Sequence, residues 1–186
     1  MTIAQNVLSV NSNWSGGTVG NGYIFRGHND NAPANSLAAV ASDTDGYNGT
    51  GQTTGDQKRT LTLTNGEVIW DMSGNVWEWT SGQVSGANNQ PGVVGSGYIY
   101  REWPTITNAG TLAINPSPAG TGLADANTWN ISNGIGGLYS NTVEAGLRGF
   151  LRGGGWNNGT PAGVLVLLLN YAPSYAYDNL GFRVAR

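Results

Sequence analysis

Cysteine is absent from the 186-residue chain, and histidine occurs once, at His28. The first absence removes disulfide frameworks, thiol nucleophiles, thiolate metal sites and iron–sulfur ligation together. The second takes away the usual parts of a catalytic triad or a histidine-built metal centre. In Phe25-Arg-Gly-His-Asn-Asp30 the lone imidazole reads as a hydrogen-bonded structural residue ahead of a ligand or base. Charge is scarce too: 10% of residues carry it, against roughly 25% in ordinary soluble domains, so solubility rests on neutral polar groups. A net charge of −3 offers no footprint for a phosphate backbone, and nucleic acid is set aside as a partner. Long hydrophobic runs are missing. The longest, Val164–Leu169, falls far short of a membrane span, and MTIAQNVLSVNSNW lacks the basic start and apolar centre of a secretory signal. The expectation is a soluble chain with no direct membrane insertion, any display on a cell or virion surface being left to a partner.

What the chain does have is glycine, thirty of them, many beside Asn, Ser, Thr or Asp, which implies frequent tight turns and long loops. Helical periodicity is nearly absent. The best candidate helix is Ala34–Ala41, with Asn35 or Ser36 as N-cap. The clearest local signal is Arg59-Thr-Leu-Thr-Leu-Thr64, Asn65-Gly66, Glu67-Val-Ile-Trp70, in which alternating strand residues around Asn-Gly predict a hairpin with a type I′ turn. Aromatic residues then come in pairs, Trp77 with Trp79 and Tyr98 with Tyr100, each pair on one face of an extended segment. Thr105–Asn133 reads as a long ordered insertion anchored by Leu123 and Trp129. No shift in composition marks a boundary, so residues 1–186 are expected to form one domain of short strands and many loops.

Candidate chemistry is thin. Asp43, Asp45 and Asn48 resemble an oxygen-rich calcium loop, but Tyr47 breaks the spacing and turn chemistry is preferred. Arg152-Gly-Gly-Gly155 lacks the Lys-Ser/Thr of a phosphate cradle. Glu78, between Trp77 and Trp79, could be a catalytic acid raised by apolar surroundings. The stronger reading is a carboxylate bound to backbone or to Arg148, Arg152 or Arg183.

Three segments, Trp70-Asp-Met-Ser-Gly-Asn-Val-Trp-Glu-Trp79, Leu151-Arg-Gly-Gly-Gly-Trp156 and Leu180-Gly-Phe-Arg-Val-Ala-Arg186, together resemble the formylglycine-generating-enzyme family, a variant of the C-type lectin fold. Tyr23-Ile-Phe-Arg-Gly27 fits the same layout. The resemblance implies an α+β, C-type lectin-like fold with short strands, few helices and many ordered loops. In it Gly74 permits a tight turn, Trp77 and Trp79 fill the centre, and Gly181-Phe182-Arg183 returns as a final core strand. The catalytic members use a cysteine pair or histidine-bound iron, which this chain cannot supply. The expectation is therefore a binder that is not an enzyme and has no cofactor or metal.

A narrower resemblance follows from RGG-x-W, a mixed stretch, and a terminal GFR. It is to the variable proteins of diversity-generating retroelements, in which a reverse transcriptase misreads template adenines and so varies Asn codons. Such codons cannot yield Lys, Gln, Glu, Met or Trp, and none of these occurs between Asn157 and Asn179. The resemblance implies a variable, ligand-displaying region over residues 152–183. Trp156, Gly159, Ala162, Gly163, Pro173 and Gly181 would be scaffold, and the varied, ligand-binding positions would be Gly155, Asn157, Asn158, Pro161, Leu168, Asn170, Tyr171, Tyr175, Tyr177, Asp178 and Asn179. Val164 and Val166 are weaker candidates.

Within Leu165–Asp178, alternation puts Leu165, Leu167 and Leu169 on a core face and Val166, Leu168 and Asn170 on the other. If that second face points outward, it joins Tyr171, Tyr175 and Tyr177 in a patch like an antibody loop, large rings among small residues; periodicity alone fits a tyrosine-rich core edge equally well, and it is the resemblance that favours the displayed patch. The partner expected is an unknown macromolecule, best a protein, with the oligomeric state open. Three alternatives stand beside this: an oxidase-like enzyme, a lectin using calcium at Asp43 and Asp45, and an inert structural protein.

Overall fold

A computed structural model describes residues 3–38, 45–85, 90, 98–105, 130–141 and 143–183. The chain is an α+β protein with few helices and mixed sheets. One α-helix, α1 (Ile3–Leu8), precedes a small hairpin of β1 (Thr60–Thr62) and β2 (Val68–Trp70). The main sheet takes β3 (Trp77–Ser85), β4 (Tyr98–Arg101), β5 (Leu138–Asn141), β6 (Leu147–Gly153), β7 (Gly163–Leu168) and β8 (Leu180–Phe182) in the order β4-β5-β7-β6-β3-β8. The β3/β8 and β5/β7 pairs are parallel and the remaining neighbours antiparallel.

The strand β7 is an interior strand, and its alternation sorts side chains between two cores. Leu165, Leu167 and Leu169 enter a cluster with Val7, Leu8, Trp14, Ile24 and Leu61, as their spacing predicts. Val166 and Leu168 enter a second cluster with Trp77, Tyr139 and Leu151. An outward face for Val166 and Leu168 is therefore corrected: both are buried, because Trp77, Tyr139 and neighbouring aromatic side chains cover that side of the sheet, while Val164 joins the first cluster and Asn170 is half-buried. Trp77 and Trp79 do share a face, as do Tyr98 and Tyr100 against Tyr139.

The hairpin forms with Thr60 opposite Trp70 and Thr62 opposite Val68, but not through a type I′ turn. Among the positions of its turn only Gly66 takes positive φ, 87°. Its N–H donates to the Leu63 carbonyl, and the Leu63 N–H to that of Glu67. This is a three-residue loop closed by a left-handed glycine. The Asn65 side chain accepts from the Glu67 N–H at 3.1 Å and donates to its carboxylate at 2.9 Å, which favours this longer closure.

The expected helix over Ala34–Ala41 is also corrected within its described part, 34–38, which is not helical. The side chain of Asn75 accepts from the Leu37 N–H (2.7 Å) and donates to the Leu37 carbonyl (3.0 Å), occupying the groups a helix would need. Residues 39–41, Asp43, and most of the 105–133 insertion with Leu123 and Trp129 lie outside the described residues. At the far edge of the sheet β8 runs beside β3, but Phe182, expected in the core, is exposed.

Buried polar groups tie the layers together. Asn13 donates to the carbonyls of Val7 and Thr62 and accepts from the Thr62 N–H, each at 2.8 Å, linking α1 to the hairpin. Asn13→Ala is expected to cost about 2 kcal/mol, since it orphans buried backbone groups; urea denaturation followed by circular dichroism measures it. Arg59 grips Asp71 through two hydrogen bonds of 2.8 and 2.7 Å and lies over the Trp70 ring. His28 is fully buried: its Nε2 faces the carbonyls of Pro33 and Asn35 at 3.0 and 3.2 Å, the structural setting the sequence suggests. Among the described residues no helix is long and apolar enough to cross a membrane.

Candidate ligand-binding cleft

On the second face of the sheet two loops, 154–162 and 169–179, fold over the strand ends. Main-chain hydrogen bonds hold both. The Trp156 N–H donates to the Asn75 carbonyl (2.8 Å) and the Gly159 N–H to that of Asn29 (2.6 Å). In the second loop the Tyr171 carbonyl accepts from the Gly149 N–H (3.0 Å) and the Asn179 carbonyl from that of Trp77 (2.8 Å). Side chains add fewer ties. The Asn158 amide oxygen accepts from the Gly155 N–H at 2.6 Å, and Asn141 donates to Asn170 at 2.6 Å.

The tyrosines of the second loop form a row. Tyr171 and Tyr175 stack with ring centres 4.0 Å apart and planes within 5°, and Tyr177 follows at 6.2 Å and 17°. Burial falls along the row: Tyr171 is half-buried, Tyr175 is 37% exposed and Tyr177 61%. The residues between them, Ala172, Pro173, Ser174 and Ala176, are small and let the rings stack on one another.

An open cleft of about 360 Å³ lies against this row, lined by Trp77, Tyr98, Asn157, Asn158, Leu168, Tyr171, Tyr175, Tyr177 and Asn179. Most of the sequence-predicted ligand positions thus converge on one concavity. Leu168 reaches it only as buried floor, so it cannot project from the surface as expected. Gly155 is buried and does not line the cleft, though it packs near Trp77 and Asn158, which do. Asn170 lines a second open cleft of about 420 Å³ behind Tyr171 and Tyr175, with Glu144 and Arg148. Asp178 is exposed and lines neither cleft. Pro161 does not line either cleft; its carbonyl faces Gly136.

Two lining residues, Trp77 and Tyr98, lie outside the predicted variable segment. Trp77 reads as core from sequence and is indeed buried, yet it also forms the floor. Tyr98 stacks on Tyr139 (5.4 Å, 15°), which in turn meets Tyr100 and Trp77 edge-on. The pairing of aromatics two residues apart was the available signal, but it carries no information about which ring edge stays open.

Burial pushes the Tyr98 and Tyr100 hydroxyls far above the usual phenol range, with Tyr139 adding to both and Glu102 to Tyr100. Tyr139 is pushed up to about 12, burial outweighing the Asn158 side chain beside it. A raised phenol means that the fold favours the neutral ring. The stability it contributes is complete below the unfolded value of about 10 and is lost as pH climbs through the folded values. Denaturation midpoints are therefore expected to show no loss from these rings up to about pH 10 and a steep decline toward about pH 12, with tyrosinate absorbance rising in step. A midpoint indifferent to pH across that range would contradict the packing described.

The acid at Glu78 is paired. Arg183 donates from Nη2 to Oε1 at 2.7 Å and from Nε to Oε2 at 3.2 Å, so of the three arginines suggested it is Arg183 that holds this carboxylate. Arg152 donates to the carbonyls of Leu165 and Val166, and burial draws its guanidinium down to about 10. Asp45 accepts from the Tyr47 N–H at 3.0 Å, a local turn. Among the described residues no three His, Cys, Asp or Glu side chains gather as a metal site. No protein-family model matches the chain, and no curated protein matches it significantly.

Proposed function

We propose that this chain is a non-catalytic ligand-binding protein of C-type lectin-like fold, diversified by a retroelement, whose segment 152–183 displays a variable surface for recognising a macromolecular, best a protein, target. The observation that carries the reading is the tyrosine row: Tyr175 and Tyr177 open to solvent above a concavity, on a loop whose backbone is pinned by main-chain hydrogen bonds. Tyrosines supply broad amphipathic contact at low entropic cost, and a loop held by its backbone tolerates changes in what it presents.

In this reading the cleft is half constant. Trp77 and Tyr98 come from the fixed part of the chain and would meet every ligand. Asn157, Asn158, Tyr171, Tyr175, Tyr177 and Asn179 come from the varied part and would set which ligand is met. The test is the DNA beside the gene. A near-copy of codons 152–183 carrying AAC where this chain has Tyr or Asp, next to a reverse transcriptase gene, is the expected result. Sibling isolates whose differences spread evenly along the chain would overturn it.

A further inference from the structure

Asn21, Asn48, Asn65, Asn133 and Asn158 are each followed by glycine. Such a pair is chemically fragile: the glycine nitrogen can attack the asparagine side-chain carbon, and the missing Cβ leaves that approach unhindered. In sequence the five pairs are alike. The fold separates them.

Attack needs two groups free at once, the side-chain amide that receives the nitrogen and the N–H that loses its proton. In three pairs both are engaged. The Gly66 N–H donates to the Leu63 carbonyl at 2.9 Å, while the Asn65 side chain is tied twice to Glu67. The Gly134 N–H donates to the Ile131 carbonyl at 3.0 Å, and the Asn133 side chain donates to the Gly22 carbonyl and accepts from the Asn130 N–H. The Gly159 N–H donates to the Asn29 carbonyl at 2.6 Å, and the Asn158 side chain accepts from the Gly155 N–H at 2.6 Å. Asn21 is intermediate, with its amide donating to the Gly16 carbonyl at 3.4 Å and packed against that glycine.

Asn48 differs from the other four. It and Gly49 are exposed in a turn closed by the Asn48 N–H on the Asp45 carbonyl and the Thr50 N–H on that of Tyr47, each at 3.1 Å. Among the described residues neither the Asn48 side chain nor the Gly49 N–H has a hydrogen-bond partner. The main-chain carbonyl of Asn48 does have one, Arg59 Nη1 at 3.0 Å. That contact bears on the product. Once the ring has closed, water can open it at either of two carbonyls, and a cationic donor on the main-chain one stabilises the charge that develops there. Opening at that carbon routes the chain through the side chain and leaves a carboxylate facing Arg59.

We propose that Asn48 is a self-modification site, converted through a succinimide to isoaspartate in the folded chain. The Gly49 nitrogen bonds to Cγ of Asn48, its proton ends on Nδ2, and Nδ2 leaves as ammonia. Water then cleaves the bond between the Asn48 main-chain carbonyl carbon and the Gly49 nitrogen. Amide and water become carboxylate and ammonium with no change of oxidation state, which adds one negative charge to the −3 of the chain.

The test incubates the full chain at mildly alkaline pH, where the glycine N–H loses its proton more readily. Mass spectrometry follows the five peptides, and electron-transfer fragmentation tells isoaspartate from aspartate. Two hydrogen bonds must break before Asn65, Asn133 or Asn158 can react, so Asn48 is expected to convert about tenfold faster than these or more, with Asn21 between. In urea the five rates should converge, and the isoaspartate share at position 48 should fall to that of the other sites. Asn48→Gln should abolish the modification there and leave the other four rates unchanged. Conversion of Asn65, Asn133 or Asn158 as fast as Asn48, an inert Asn48 in the folded chain, or an isoaspartate share that unfolding does not lower would overturn the proposal.

Discussion

Gly163→Ala is expected to cost at least about 3 kcal/mol and to leave little folded protein at 37 °C. The glycine opens β7 where that strand crosses the 134–136 segment. A methyl group placed there would lie 2.2 Å from the Gly136 nitrogen and 2.3 Å from the Ile135 carbonyl carbon. Both obstacles are backbone, so no rotamer change relieves the contact, and the strand or the crossing segment must move. Gly163 also leads directly into the buried run from Val164 to Leu169, so displacement spreads into both cores. Thermal and urea denaturation measure the loss; a variant with an unchanged midpoint would mean that the two segments do not cross as closely as described.

Twelve to fourteen residues further on, the expected result is the opposite. Tyr175→Ser combined with Tyr177→Ser should change stability by no more than about 1 kcal/mol, within the range of surface substitutions, and on the proposed function should weaken ligand binding by about 30-fold or more per ring, the loss expected of hot-spot contacts. Tyr177 is mostly open and Tyr175 rests on Tyr171 at the surface, and the loop keeps its main-chain bonds through Ala172, Tyr177 and Asn179 whatever the side chains are. Tyr171 should behave differently. It packs against the second core cluster, so its replacement is expected to lower stability as well as binding. Denaturation midpoints and titration with the isolated ligand separate the two effects.

Much of this was legible in the residues. Leu165, Leu167 and Leu169 announce a core face by alternation alone, and Asn65-Gly66 announces a reversal. The tyrosines of 171–177, set among Ala, Pro and Ser, read equally as a core edge or as exposed aromatics, and the structure divides them, Tyr171 packed on the second core and Tyr177 exposed. What stayed hidden depends on neighbours distant in sequence. Val166 and Leu168 are buried because β7 lies inside the sheet beneath Trp77, Tyr139 and Leu151, and one strand's pattern cannot tell a covered second face from an open one. The Asn65-Gly66 turn took the longer closure because a side-chain hydrogen bond to Glu67 was available. Ala34–Ala38 reads as helix by composition, yet the Asn75 side chain claims the Leu37 backbone from 38 residues away. Phe182 reads as core and is exposed because β8 ends at the sheet edge. Trp77 and Tyr98 were visible as aromatics, but their place in the cleft depends on which strands meet there.

The central claim is that the fold holds this loop by its backbone and is indifferent to the groups it presents. The most direct measurement is the stability of a pool in which Asn157, Tyr175, Tyr177, Asp178 and Asn179 are randomised together, read as resistance to protease over a urea series. Most members are expected to unfold within about 1 kcal/mol of the parent, while a matched pool randomised at Gly163, Leu165 and Leu167 collapses. If the first pool loses its folded members as readily as the second, the displayed side chains are part of what holds the structure, and the account is wrong.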